Sequence, residues 1–188
     1  MQRMPILKVA QMGHPMLRTP ADPVEPGEIG TPEFQRLIDD MVETLHEYHG
    51  IGLAAPQVHV SRRLCLIGVV EESEEGAPQR VNVLVAINPV ITPLTDETIV
   101  GVEACLSMPD LRGLVPRLRA VRLEALDRDG DPFALELEGY PAVVAQHETD
   151  HVDGVLFVDR MPDLRSLAYH REFERYGFGL EDLSREGG

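Results

Sequence analysis

His147-Glu148-Thr149-Asp150-His151 is the stretch on which the reading of this chain turns. Two imidazoles four apart on a helix stand one turn above the other on the same face, near enough to hold one metal ion. A glutamate directly after the first histidine reaches a water bound to that ion, which is the arrangement of a metal-dependent hydrolase. The pentapeptide therefore predicts a helix. It begins near Tyr140-Pro141, and Ala142, Val143, Val144, Ala145 and Gln146 give it an apolar approach and a central position.

Working outward, a second helix is legible upstream. Thr31 serves as N-cap, Pro32 sits at the first helical position and Glu33 lies in the first turn. Phe34, Leu37, Ile38, Met41, Val42, Leu45 and Tyr48 form one apolar stripe at helical spacing, and Gly50 is expected as the C-terminal cap. Residues 63–70 and 81–88 carry strand patterns, with the charged run 71–76 between them read as a solvated hairpin loop. Residues 120–126 and 133–137 read as two strands joined across Asp127-Arg128-Asp129-Gly130. Short strands around two helices indicate an α+β fold: mixed or antiparallel sheets packed around the helix that bears the histidines. One catalytic domain over 1–188 is expected, with 164–188 a C-terminal arm, docked as a strand or extended.

Composition narrows the function classes. The 188 residues hold 43% hydrophobic and 26% charged side chains, ordinary for a soluble domain with a real core. With 17 basic and 32 acidic residues the formal charge is −15, a field that repels phosphate backbones, so no nucleic-acid partner is expected. Arg112, Arg117, Arg119 and Arg122 form the one dense basic cluster, spaced like a face of strands. No run approaches the ~18 apolar residues of a membrane span, so no membrane partner is expected either. The opening MQRMPILKVA lacks an apolar core followed by a small-residue cleavage site. Two cysteines cannot build a disulfide framework, and a reducing cytoplasm follows.

The third ligand decides which hydrolase this is. The metzincin extension would need histidine at 157, where Phe157 stands, so that route is closed. A downstream glutamate, Glu172 or Glu174, could serve by distance alone, but neither lies in a clear apolar helical pattern. An upstream donor fits better. Cys105 lies in Val102-Glu103-Ala104-Cys105-Leu106-Ser107-Met108-Pro109, too short and irregular for a helix. Its thiolate with His147 and His151 makes three protein ligands with a fourth position open to water, the catalytic form of such sites. Cys65, within Leu64-Cys65-Leu66-Ile67, reads as a buried core thiol.

These residues carry a family resemblance. Gly50-Ile51-Gly52-Leu53-Ala54-Ala55-Pro56-Gln57, Glu103-Ala104-Cys105-Leu106-Ser107 and Gln146-His147-Glu148-Thr149-Asp150-His151 resemble the three motifs of the peptide deformylases, in order. Gly13-His14-Pro15-Met16-Leu17-Arg18 is similar to the family's amino-terminal segment, so the likeness spans roughly residues 10 to 160. It implies removal of the formyl group from N-formylmethionyl nascent peptides, with release of formate. It implies one divalent metal, Fe²⁺ before Zn²⁺, Ni²⁺ or Co²⁺, on Cys105, His147 and His151. A single thiolate among the ligands leaves a net charge near +1, a weaker Lewis acid than a three-histidine site, so a positioned base gains importance. Glu148 is that base. By resemblance, Gln57 and the backbone N–H of Leu106 donate to the oxyanion, and Ile51 and Gly52 pair with the substrate main chain. Val143, Tyr140, Val144 and Ile51 are the candidate walls of the methionine pocket. Asp150 and Gln146 are expected to hold the helix in place, Asp150 by pairing with Arg117.

Two departures carry consequences. Ala104 stands where the family has glycine, near the path of the substrate, and its Cβ could crowd the peptide. The tail ending at Gly188 lacks the basic helix with which some deformylases dock on the ribosome, which leaves only a transient ribosome association among the partners implied. The rival reading is a metal-binding homologue with a different N-acyl substrate or with weak activity because of Ala104. A pure binding module would have no need of Glu148.

Overall fold

The computed structural model describes residues 5–70 and 81–177. Helix α1 (Pro26–Ile29) and helix α2 (Pro32–Glu47) come first, followed by strands β1 (Gly52–Ala54), β2 (Leu64–Val70), β3 (Val81–Pro93), β4 (Thr98–Cys105), β5 (Met108–Leu118), β6 (Ala120–Leu126) and β7 (Pro132–Glu138). Helix α3 (Tyr140–Val152), helix α4 (Phe157–Arg160), strand β8 (Ala168–Tyr169) and helix α5 (His170–Tyr176) complete the order. One sheet runs β1-β2-β3-β6-β7 and the other β4-β5-β8, and every recorded pairing is antiparallel. No described helix is long and apolar enough to cross a membrane.

Strand β2 explains the architecture. Leu64, Cys65, Leu66 and Ile67 are all fully buried, although side chains alternate between the two faces of a strand. Cys65 and Ile67 pack with Ala142, Val144 and Ala145 of α3, whereas Leu64 and Leu66 pack with Phe34, Ile38, Met41 and Leu45 of α2. The larger sheet is thus covered on both sides, which is why β2 reads as a continuous apolar run rather than an alternating one. Full burial of each such side chain is worth about 1.5–3 kcal/mol.

Local signals hold at most boundaries. The Thr31 hydroxyl accepts from the Phe34 N–H, and Pro32 opens α2. Between β6 and β7 the Asp127 carboxylate accepts from the Asp129 and Asp131 N–H groups, while Gly130 takes φ +89°. At the end of α2 the expectation is corrected: the left-handed residue is His49 (φ 52°), not Gly50. His49 N–H bonds to the His46 carbonyl and Gly50 N–H to the Leu45 carbonyl, a Schellman cap. Gly50 is small for another reason, since a Cβ there would meet Leu45 Cδ1 at 2.8 Å. Strand β3 continues five residues past the expected end, through a bulge with Asn88 at φ 53°. The arm beyond Leu164 docks through the two residues of β8 on β5 and then turns into α5. The hairpin loop expected at 71–76 lies outside the described residues.

Candidate active site

Three elements converge on one point. Strand β4 buries Glu103 and Cys105 together, because residues two apart share a face, and Ala104 between them is exposed at the cleft. Helix α3 brings His147, Glu148 and His151, all buried, and the turn after β1 brings Gln57. The ligand atoms of Cys105, His147 and His151 lie within 4.8 Å of one another, the one such cluster of three or more among the described residues. Cys105 Sγ sits 3.2 Å from His151 Nε2. Glu172 and Glu174 stay on α5, paired with Arg171 and His170.

The chemistry of this donor set fits a divalent ion. His147 Nδ1 is 2.7 Å from Glu103 Oε2, a bond that assigns the proton to Nδ1 and leaves Nε2 as the ligand atom. Burial alone would push His147 down, yet the bonds to Cys105 and Glu103 draw it well above its ordinary value. Burial, with the charges of His147 and Arg117, holds His151 well below its ordinary value and so keeps it neutral, as a ligand must be.

Glu148 stands beside this cluster. Burial raises its carboxyl to about 7 against the opposing charge of His147, and its Oε2 has no hydrogen-bond partner among the described residues. Strand β1 passes directly over it: a Cβ on Gly52 would lie 2.3 Å from Glu148 Oε1. The Gln57 amide has one orientation. Its Oε1 accepts from the Ala54 N–H at 2.7 Å, so Nε2 faces Ser107 Oγ at 3.2 Å and Cys105 Sγ at 3.5 Å.

Behind the donors runs a buried ion network. Arg117 donates to both Glu103 oxygens, at 2.7 and 3.0 Å, and to Asp150 at 2.5 Å, while Arg160 closes on Asp150 from the surface at 2.7 Å. The expected Asp150–Arg117 pair is present. Gln146 ties α3 to β5 through the Leu118 backbone. Glu103 is the residue the sequence reading missed: it acts through His147, as a positioning group. Burial would raise its carboxyl, but bonds from His147 and Arg117 hold it below the ordinary range. Its signal was the two-residue spacing to Cys105, which has meaning only once 98–105 is known to be a strand.

A cleft of about 540 Å³ opens onto the cluster. Ile51, Gly52, Ala104, Tyr140, Val143 and Val144 all line it, together with Gln57, Leu106, Cys105, His147 and Glu148. Tyr140 is 57% exposed and stands at the rim, whereas Val144 is 4% exposed and belongs as much to the core. His49, Asp110 and Arg112 also line the cleft and had no part in the sequence reading of the site.

Comparisons with known proteins point to one family. A family model described as polypeptide deformylase matches residues 6–166. A peptide deformylase of Leptospira biflexa is 38% identical over 176 residues, which cover 93% of this chain and 98% of that protein. The Met-Ala-Ser-bound class I type b peptide deformylase of Acinetobacter baumannii superposes with a TM-score of 0.77 at 36% identity, over 85% of this chain and 100% of that one. For the peptide deformylase of Thermotoga maritima the TM-score is 0.72 at 34% identity, with 85% and 99% covered.

Proposed function

The chain belongs to the polypeptide deformylase family, and from that premise we propose how its own residues carry out the family's reaction. The enzyme is a metal-dependent hydrolase that removes the formyl group from N-formylmethionyl peptides and releases formate. Cys105, His147 and His151 hold one divalent ion, which we assign as Fe²⁺; the same thiolate and imidazole set accepts Zn²⁺, Ni²⁺ and Co²⁺. When bound, the ion supplies Lewis-acid stabilisation at the formyl oxygen and lowers the pKa of water.

Glu148 takes a proton from the attacking water and delivers it to the departing amine. Its buried carboxyl near 7 supports that role, because proton exchange is most effective when the group's pKa lies near the working pH. Gln57 Nε2 and the Leu106 N–H donate to the oxygen on which charge develops, each such donor typically worth ~3 kcal/mol of barrier. Ile51 and Gly52 pair with the substrate backbone, with Ala104 on the facing wall. Val143, Val144, Ile51 and Tyr140 flank the methionine side chain. The substrates are nascent peptides in the cytoplasm, met during transient association with the ribosome, and 1–188 acts as one catalytic domain with 164–188 as its arm.

The observation that carries this reading is the meeting of the Cys105, His147 and His151 donor atoms within 4.8 Å, in a cleft also lined by Gln57 and Glu148. The test is formate release from formyl-Met-Ala-Ser under anaerobic conditions with Fe²⁺, with metal content measured on the same sample. Acetyl-Met-Ala-Ser should remain uncleaved. Absence of formate from metal-loaded protein would overturn the reading.

A further inference from the structure

Arg112 is the one arginine or lysine among the residues that line the cleft. Its placement follows from an irregularity between β4 and β5. Glu103 pairs with Gly113 and Cys105 with Met108, so Ala104 alone stands opposite residues 109–112. The surplus chain, with Asp110 at φ 63°, forms a bulge whose Pro109, Asp110 and Arg112 line the cleft. Strand β8 then pins the bulge from its other side, pairing Leu111 with Tyr169 and Arg112 with Ala168. Backbone on both flanks is thus fixed, and the guanidinium is presented from a rigid base.

That guanidinium lacks a carboxylate. Its recorded bond is from Nη1 to the Leu111 carbonyl at 2.7 Å, which leaves the other N–H donors of the fork unused. Of the described arginines, only Arg112 and Arg175 have no acidic partner, and Arg175 lies over the Tyr176 ring. In a chain of formal charge −15, acids are abundant, so an unpaired arginine in a half-buried position is a departure from the surrounding pattern. Asp110 shares the rim but forms no ion pair with it. Glu103, the other nearby acid, is already engaged by Arg117 and His147. A planar fork with spare donors is the side chain best matched to a carboxylate.

We propose that Arg112 selects substrates that present a carboxylate a few residues downstream of the formylmethionine, either an acidic side chain or the terminal carboxylate of a short peptide. The inference rests on the deformylase reading and adds a substrate preference to it. Partly desolvated charge pairs of this kind are worth about fivefold in affinity.

Two measurements on the metal-loaded enzyme test it. Formate release is compared for formyl-Met-Ala-Ser-Ala peptides in which aspartate or asparagine replaces the second, third or fourth residue, each as free acid and as C-terminal amide. Calorimetry then measures binding of the corresponding deformylated peptides, which needs no turnover. The expected result is a KM about fivefold lower for the best aspartate peptide than for its asparagine partner, at equal kcat, with the ratio shrinking in high salt. Arg112→Gln should bring that ratio to one while still releasing formate from the neutral peptides. A preference seen only among free acids assigns the terminal carboxylate as the source. A wild-type ratio of one in both measurements, or a ratio unchanged in Arg112→Gln, overturns the proposal. Loss of formate release from every peptide would instead strike at the deformylase reading, and the calorimetric ratio would still judge Arg112.

Discussion

Replacing Gly52 with alanine puts a methyl group into the space of the Glu148 carboxyl. The added Cβ would lie 2.3 Å from Oε1, 2.6 Å from Cδ and 2.7 Å from Cγ, where ordinary contact begins at 3.4 Å. Relief requires a shift of about 1 Å, and the flexible side chain yields before β1, which is held in register by Gly52–Ile67 pairing. A displacement of about 1 Å at a reacting group costs on the order of 100-fold in rate. Overpacking of this size costs about 1 kcal/mol of stability. Gly52→Ala should therefore fold, keep its metal and lose about two orders of magnitude in kcat, read by formate release beside a thermal melt and metal analysis. Gly101→Ala on β4, where a Cβ meets nothing within 4 Å, is the control and should retain full rate. A Gly52→Ala enzyme with undiminished kcat would refute the argument that this close approach positions the base.

Other perturbations read other parts of the account. Arg117→Met leaves Glu103 with His147 alone and Asp150 with Arg160 alone, two buried carboxylates each short of a partner, and should cost about 3–5 kcal/mol in denaturant unfolding; a loss below 1 kcal/mol (roughly) would show that water or the remaining partners make up for it. Burial pushes the Asp159 carboxyl up, but its bonds from Arg18 and the Leu156 N–H, with the charges of Arg18 and Arg160, hold it below the usual range. A folded-state pKa so depressed gives stability that is present above the unfolded value of about 3.9 and is lost as pH falls through the folded one. Wild type should accordingly exceed Asp159→Asn in stability near neutral pH, with the gap closing in acid; parallel stability curves down to about pH 2 would contradict this. Ala104 lines the cleft, so Ala104→Gly should turn over formyl-Met-Ala-Ser at the same or a higher rate, and a strong fall would end the crowding idea.

What was legible in the sequence had dense local signals. Helix α2 has a cap, a proline and one apolar stripe; α3 has Tyr140-Pro141 at its start and the histidine pair; the Asp-Gly turn marks β6 and β7. Strands β4 and β5 were not legible. The outward positions of β4, Val100 and Val102, are apolar and partly exposed, so the polar and apolar alternation that marks a half-buried strand is missing. That omission hid Glu103, whose value depends on sharing a face with Cys105. Helix α5 buries no residue and so has no stripe to read. His49 replaced Gly50 as the left-handed cap because the chain needs its glycine one residue later, against Leu45 and Leu106. The metal donors were visible because their chemistry is carried by residue type, whereas Arg112 depends on a bulge that no local pattern announces.

The central claim is that Cys105, His147 and His151 hold the metal while Glu148 moves the proton. Glu148→Gln keeps the volume of the side chain and removes its basicity. Metal content and formate release measured on one anaerobic preparation should show the ion retained at wild-type stoichiometry and the rate lowered by about 10²–10⁴-fold. A variant that loses its metal, or that turns over at the wild-type rate with metal bound, would contradict the account.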